Sequence, residues 1–133
     1  MVMNMNVLLA TDAKPHSEKA VGYAIEYARL FKAALYVVYA VSPRAGDDRE
    51  KTIKTSMAVL EDVKKKAADQ SIEITTLLEA GSPYEAILAA AERVKADTII
   101  VGTSGKTVVD RVLIGSVSEY IVRNARCTVI VVK

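Results

Sequence analysis

Short apolar runs that alternate with helical patterns restrict the fold of this 133-residue sequence more than any other feature. Each run is long enough for one strand, and the stretches between runs carry apolar residues at the three- and four-residue spacing of an amphipathic helix. The predicted strands are Asn6–Thr11, Ala34–Val41, Ile72–Glu79, Asp97–Gly102 and Cys127–Val132. Because parallel strands need a crossover between them, and helices supply it, the alternation predicts an α/β domain around a parallel sheet.

The polarity of the strands predicts their order in the sheet. The first and fourth runs, NVLLAT and DTIIVG, are nearly continuously apolar, as central strands covered on both faces are. The third run, IEITTLLE, is more polar and suits an edge. With right-handed crossovers, the expected architecture is an open parallel five-stranded sheet of order 3-2-1-4-5 with helices on both faces. The strongly apolar last strand then forms the second edge, so we expect a homodimer paired through Cys127–Val132.

Four helices are expected between the strands, at about residues 17–32, 50–69, from 82 onward, and 117–126. The second helix has one apolar face made of Ile53, Met57, Leu60, Val63 and Ala67. The third and fourth helices start with capping-box patterns, formed by Ser82 with Glu85 and by Ser116 with Glu119.

Composition narrows the functional classes. Hydrophobic residues make up 51% of the chain, which supports a single domain over residues 1–133. The net charge is only +2 and basic residues are spread among acidic ones, so nucleic-acid binding is not expected. No apolar run approaches the roughly 18 residues of a membrane span. One cysteine allows no internal disulfide, and a cytoplasmic setting is expected.

The glycine-rich stretch after the fourth strand suggests a ligand site. In such sheets, ligands bind beyond the carboxyl ends of strands where the winding direction switches, here between strands one and four. Asp12 ends strand one and faces this stretch. Gly102 and Gly105 permit positive φ and close backbone approach. Gly115 and Ser116 then open the fourth helix, whose free N–H groups and positive dipole end suit a phosphate.

Two familiar phosphate motifs are excluded. The sequence "GKT" at 105–107 invites a P-loop interpretation, but that motif needs a glycine five residues before Gly105, where this chain has Ile100. The dinucleotide fingerprint G-x-G-x-x-G is also absent.

The glycine spacing instead resembles a known family. The pattern Gly-x2-Gly-x9-Gly-Ser at 102–116 is similar to the nucleotide-binding motif of the universal stress protein family, in its ATP-binding branch. The similarity covers almost the whole chain, since the first strand ends in Asp12 and residues 81–83 resemble the family's G-x-P turn. One departure is Ala13-Lys14, where the family often has Gly-Ser.

The resemblance implies a Rossmann-like fold, a dimer through the last strand, and ATP or another adenine nucleotide with Mg²⁺ or Mn²⁺. Asp12 and Val41 would border the adenine and ribose, and Asp12 is also a possible metal ligand. The residues implied to bind ribose and phosphates are Gly102, Gly105, Gly115, Ser116 and Val117. Lys106 and Ser118 lie within reach of the same loop.

The sequence therefore predicts an ATP-binding stress-response regulatory protein with unidentified protein partners. Any hydrolysis should be slow, because no candidate catalytic base or arginine finger stands out. The alternative is a nucleotide-independent dimeric scaffold on the same fold. A phospho-receiver is a weaker third hypothesis. Receivers need an acidic pair after strand one and an Asp at the end of strand three. In this chain Thr11-Asp12 supplies one acid, and strand three ends in Glu79.

Overall fold

The computed structural model of this chain describes residues 5–12, 17–41, 48–103 and 116–133. Strands and helices alternate along these residues. The strands are β1 (Asn6–Ala10), β2 (Ala34–Val41), β3 (Ile74–Ala80), β4 (Thr98–Gly102) and β5 (Thr128–Val132). The helices are α1 (Glu18–Phe31), α2 (Arg49–Ala68), α3 (Pro83–Arg93) and α4 (Ser116–Asn124). The predicted elements all form, with ends that differ from the predicted ones by one or two residues.

The strands form one parallel sheet of order β3-β2-β1-β4-β5, which confirms the predicted topology. β1 lies at the centre, where its side chains alternate between two apolar layers. Val7 and Leu9 pack into the layer that contains α1 and α2, whereas Leu8 packs into the layer that contains α3 and α4. All three side chains are fully buried, which is why the strand reads as a continuous apolar run.

The buried face of α2 differs from the predicted one. Leu60 and Val63 are buried as expected, but Ile53 and Met57 are exposed, Met57 by 59%. Ser56 takes the core position instead, because it lies one helical turn before Leu60. Its hydroxyl donates to the carbonyl oxygen of Thr52 at 2.7 Å, so the small polar side chain is satisfied within the helix.

The start of α3 also corrects a prediction. Ser82 occupies the N-cap position and Pro83 the first helical position, as the sequence indicated. However, the Ser82 side chain makes no capping hydrogen bond, so the predicted capping box is wrong. The preceding Gly81 has a φ of 122°, a conformation that side chains rarely adopt. The chain direction at this turn therefore depends on glycine and proline rather than on a serine cap.

In the described part of the chain, none of the helices combines the length and apolar content that a membrane span requires.

Candidate functional site

The ladders on the two sides of β1 end at the same residue. β1 pairs with β4 from Val7–Ala10 to Thr98–Val101, and its ladder with β2 ends at the Ala10–Val38 pair. The backbone N–H of Thr11 donates to the carbonyl oxygen of Val38 at 3.2 Å, which completes that last pair.

The ladder between β4 and β5 runs one pair further than the ladder between β1 and β4. Gly102 pairs with Val132 of β5, and the N–H of Thr103 donates to the carbonyl oxygen of Val132 at 3.1 Å. The carboxyl ends of the neighbouring strands β1 and β4 lie at the switch point of the sheet, where the strand order predicts a ligand crevice.

A buried hydroxyl pair holds the end of β1 to the start of α1. Thr11 Oγ1 and Ser17 Oγ lie 3.2 Å apart, and both side chains are buried. Asp12 lies between these residues in sequence and is exposed. The pair thus links the residue before Asp12 to the start of α1, and Asp12 follows the carboxyl end of β1.

Gly102 does not have the conformation that the sequence suggested. Among the described glycines, only Gly81 has a positive φ. A Cβ added at Gly102 would lie 3.5 Å from the Cβ of Ala20 and 4.0 Å from the carbonyl oxygen of Val132, which is ordinary contact. Gly102 therefore lies where α1 packs closely on β4, and the positive-φ argument for this glycine is wrong.

Val41, predicted to border the nucleotide, is the last residue of β2 and is half-buried. Ala10 at the end of β1 pairs with Val38, so β2 extends three residues beyond the last residue of β1. The carbonyl oxygen of Val41 accepts a hydrogen bond from the N–H of Gly81 at 2.7 Å, which joins the end of β2 to the turn after β3.

Ser116 is the first residue of α4 and is exposed. Its hydroxyl oxygen accepts a hydrogen bond from the hydroxyl of Tyr84 on α3 at 3.1 Å. The ring of Tyr84 also meets the ring of Tyr120 edge-on, with centroids 5.2 Å apart. No sequence pattern links residues 32 positions apart, so the contact of Tyr84 with Ser116 could not be predicted from the sequence.

The other predicted residues of the nucleotide motif divide into two groups. Val117 is half-buried against the α3/α4 layer, and Ser118 is only 2% exposed. Of the three first-turn residues predicted to meet phosphate, Ser116 is thus the one at the surface. Gly105, Lys106 and Gly115 lie outside the described residues.

Within the described ranges, no group of three or more His, Cys, Asp or Glu side chains converges as a metal site. Cys127 precedes β5 at the opposite, amino edge of the sheet. Burial, and next the carboxylate of Asp97, raise the pKa of this thiol above its usual range. It is therefore a poor nucleophile near neutral pH.

Comparison with known proteins identifies close relatives. The sequence model of the universal stress protein family matches residues 3–133. A universal stress protein from Methanocaldococcus jannaschii is 36% identical, over 96% of this chain and 81% of that protein. A universal stress protein structure from Archaeoglobus fulgidus has a TM-score of 0.84 at 25% identity, over 98% of this chain and 100% of that one. A universal stress protein solved in complex with cAMP has a TM-score of 0.79 at 27% identity, over 97% of both chains.

Proposed function

Since this chain belongs to the universal stress protein family, we propose that it binds an adenine nucleotide at the crevice between β1 and β4. ATP with Mg²⁺ or Mn²⁺ is the expected ligand, and a regulatory role in the stress response is the expected consequence. The single observation that supports the proposal is the strand order, in which β1 and β4 are neighbours and their carboxyl ends lie at the switch point of the sheet.

The start of α4 provides the phosphate end of the proposed site. α4 follows β4 in the chain, so its first turn belongs to the carboxyl edge of the sheet. Free backbone N–H groups and the positive dipole end at a helix start favour a phosphate. Hydrogen bonds to charged groups contribute about 1.5–3 kcal/mol each. Three or four of them approach the roughly 8 kcal/mol of a micromolar complex.

The relative solved with cAMP supports an adenine nucleotide as the ligand class. cAMP carries one phosphate and ATP carries three. The cAMP complex therefore supports the class of ligand, and the choice of ATP within that class is our proposal. Asp12 has two proposed roles at the nucleotide, as a hydrogen-bond acceptor for the ribose or as a ligand of the divalent cation.

We also propose the homodimer through β5. The strand lies at the edge of the sheet and its residues from Val129 to Val132 are apolar and half-buried. The Val132 carbonyl points toward β4, so the N–H of the adjacent Val131 points outward. Val131→Pro should remove an edge donor without breaking the β4 ladder, and sedimentation should then show a monomer. A sedimentation coefficient unchanged from the native chain would contradict dimerisation through this edge.

Calorimetric titration with ATP and Mg²⁺ tests the nucleotide proposal. The native chain should bind, and Asp12→Asn should bind more weakly. Asp69→Asn, at the exposed end of α2, is the matched control and should bind as the native chain does. Undetectable heat at millimolar nucleotide would defeat the proposal. Mass spectrometry of denatured purified protein tests independently for nucleotide that was carried through purification. If neither assay detects nucleotide and sedimentation shows a dimer, the scaffold alternative is favoured.

A further inference from the structure

The hydroxyl of Tyr84 lies where two helix starts meet. Tyr84 is in the first turn of α3, and Ser116 begins α4. The two helices pack on the same face of the sheet and contribute to the same apolar layer. The hydrogen bond from Tyr84 Oη to Ser116 Oγ therefore joins the turn after β3 to the first turn of the predicted phosphate-binding helix.

Two contacts, one helical turn apart on α4, fix the position of Tyr84. Its hydroxyl reaches Ser116, and its ring meets the ring of Tyr120 edge-on at 5.2 Å. Residues four apart lie on the same side of a helix, so the two contacts form one continuous surface along α4. Pro83 lies at the first helical position, directly before Tyr84, and its ring fixes its own φ. The phenol is thus held by its neighbours as well as by its own hydrogen bond.

We propose that Tyr84 is a positioning residue for phosphate recognition by Ser116. A serine hydroxyl has one proton to donate and oxygen lone pairs that accept. Because Tyr84 donates to the Ser116 oxygen, the Ser116 proton is left to donate elsewhere, toward an anion at the start of α4. Hydrogen bonds in a chain also polarise one another, which makes Ser116 a stronger donor to phosphate.

The inference rests on the proposed nucleotide site and adds a determinant of selectivity to it. Tyr84 acts through Ser116 and not through the adenine, so it should contribute only to the binding of the phosphate. Loss of the Tyr84 hydroxyl should weaken ligands that carry phosphate at this position and should leave the binding of adenosine unchanged.

The test is Tyr84→Phe, which removes the hydroxyl and keeps the ring against Tyr120. ATP affinity, measured by calorimetry, should fall by about three- to tenfold, the range expected for one hydrogen bond. Adenosine affinity, measured by displacement of a fluorescent ATP analogue, should not change. Tyr120→Phe is the matched control: it keeps the ring pair and the Tyr84 hydroxyl, and it should bind ATP as the native chain does.

A double-mutant cycle with Ser116→Ala separates positioning from a general structural role. In the Ser116→Ala background, Tyr84→Phe should cause no further loss of ATP affinity, because its only route to the ligand is gone. Additive losses, equal losses for ATP and adenosine, or no loss in Tyr84→Phe would each overturn the inference. Failure of the native chain to bind ATP would instead refute the proposed function and this inference with it.

Discussion

Substitutions at Gly102 test how closely α1 packs on β4 beside the crevice. A Cβ at this position would lie 3.5 Å from the Cβ of Ala20, which is within the optimal carbon–carbon separation of about 3.5–4.0 Å. Gly102→Ala should therefore fill the space without strain. Because glycine in a strand costs about 0.5–1 kcal/mol relative to alanine, we expect the free energy of unfolding to rise by about that amount.

Gly102→Val should have the opposite effect. Its two further methyl carbons extend about 1.5 Å beyond the Cβ, and Ala20 is already in contact. Overpacking of this kind costs about 1–3 kcal/mol. Urea denaturation followed by circular dichroism measures both variants. If Gly102→Val were as stable as Gly102→Ala, the close packing of α1 on β4 would be refuted.

Three further predictions concern positions away from the crevice. On α2, Met57→Lys should change the free energy of unfolding by less than about 0.5 kcal/mol, whereas Leu60→Ala should lower it by about 2–5 kcal/mol. Equal losses of stability in urea denaturation would contradict the observed buried face of α2. Gly81→Ala should destabilise by about 1 kcal/mol or more, because its φ of 122° is strained for alanine although the site is open; an unchanged thermal midpoint would contradict this conformation. The raised pKa of Cys127 means that less thiolate is present at a given pH, so alkylation by iodoacetamide should be slow near pH 8. Asp97→Asn should lower the pKa of the thiol and speed its alkylation, and an unchanged rate would show that Asp97 does not raise this pKa.

The sheet could be predicted from the sequence because the composition of a parallel strand depends on how fully its two faces are buried. β1 is apolar on both faces and lies at the centre, whereas β3 has Thr75 and Thr76 and lies at an edge. Right-handed crossovers then leave few orders for five strands. Strand order, in turn, places the switch point between β1 and β4, from which the sequence predicts that Asp12 and Gly102 border one crevice.

The face of α2 could not be read from hydrophobicity alone. Ile53 and Met57 have apolar side chains but lie off the line that Leu60 and Val63 define, so they remain exposed. Ser56 lies on that line, and its hydrogen bond to a backbone carbonyl in its own helix removes the cost of burying a hydroxyl. A pattern that scores serine as polar misses this compensation.

The site was predictable at the level of chain segments and not of side-chain partners. The sequence indicated that Ser116 opens α4, but it gave no sign that Tyr84 donates to its hydroxyl. That contact depends on the positions of α3 and α4 along the sheet, and the packing of the apolar layer that they share determines these positions. Ser118, in the first turn of the same helix, is buried, with 2% of its surface exposed.

Backbone amide NMR during titration with ATP and Mg²⁺ tests the nucleotide site most directly. We expect the largest chemical-shift changes at the amides of Asp12, Gly102 and Ser116, with little change at the far end of α2 near Asp69. Changes that cluster on α2, or an unperturbed spectrum at saturating nucleotide, would contradict a nucleotide site at the carboxyl ends of β1 and β4.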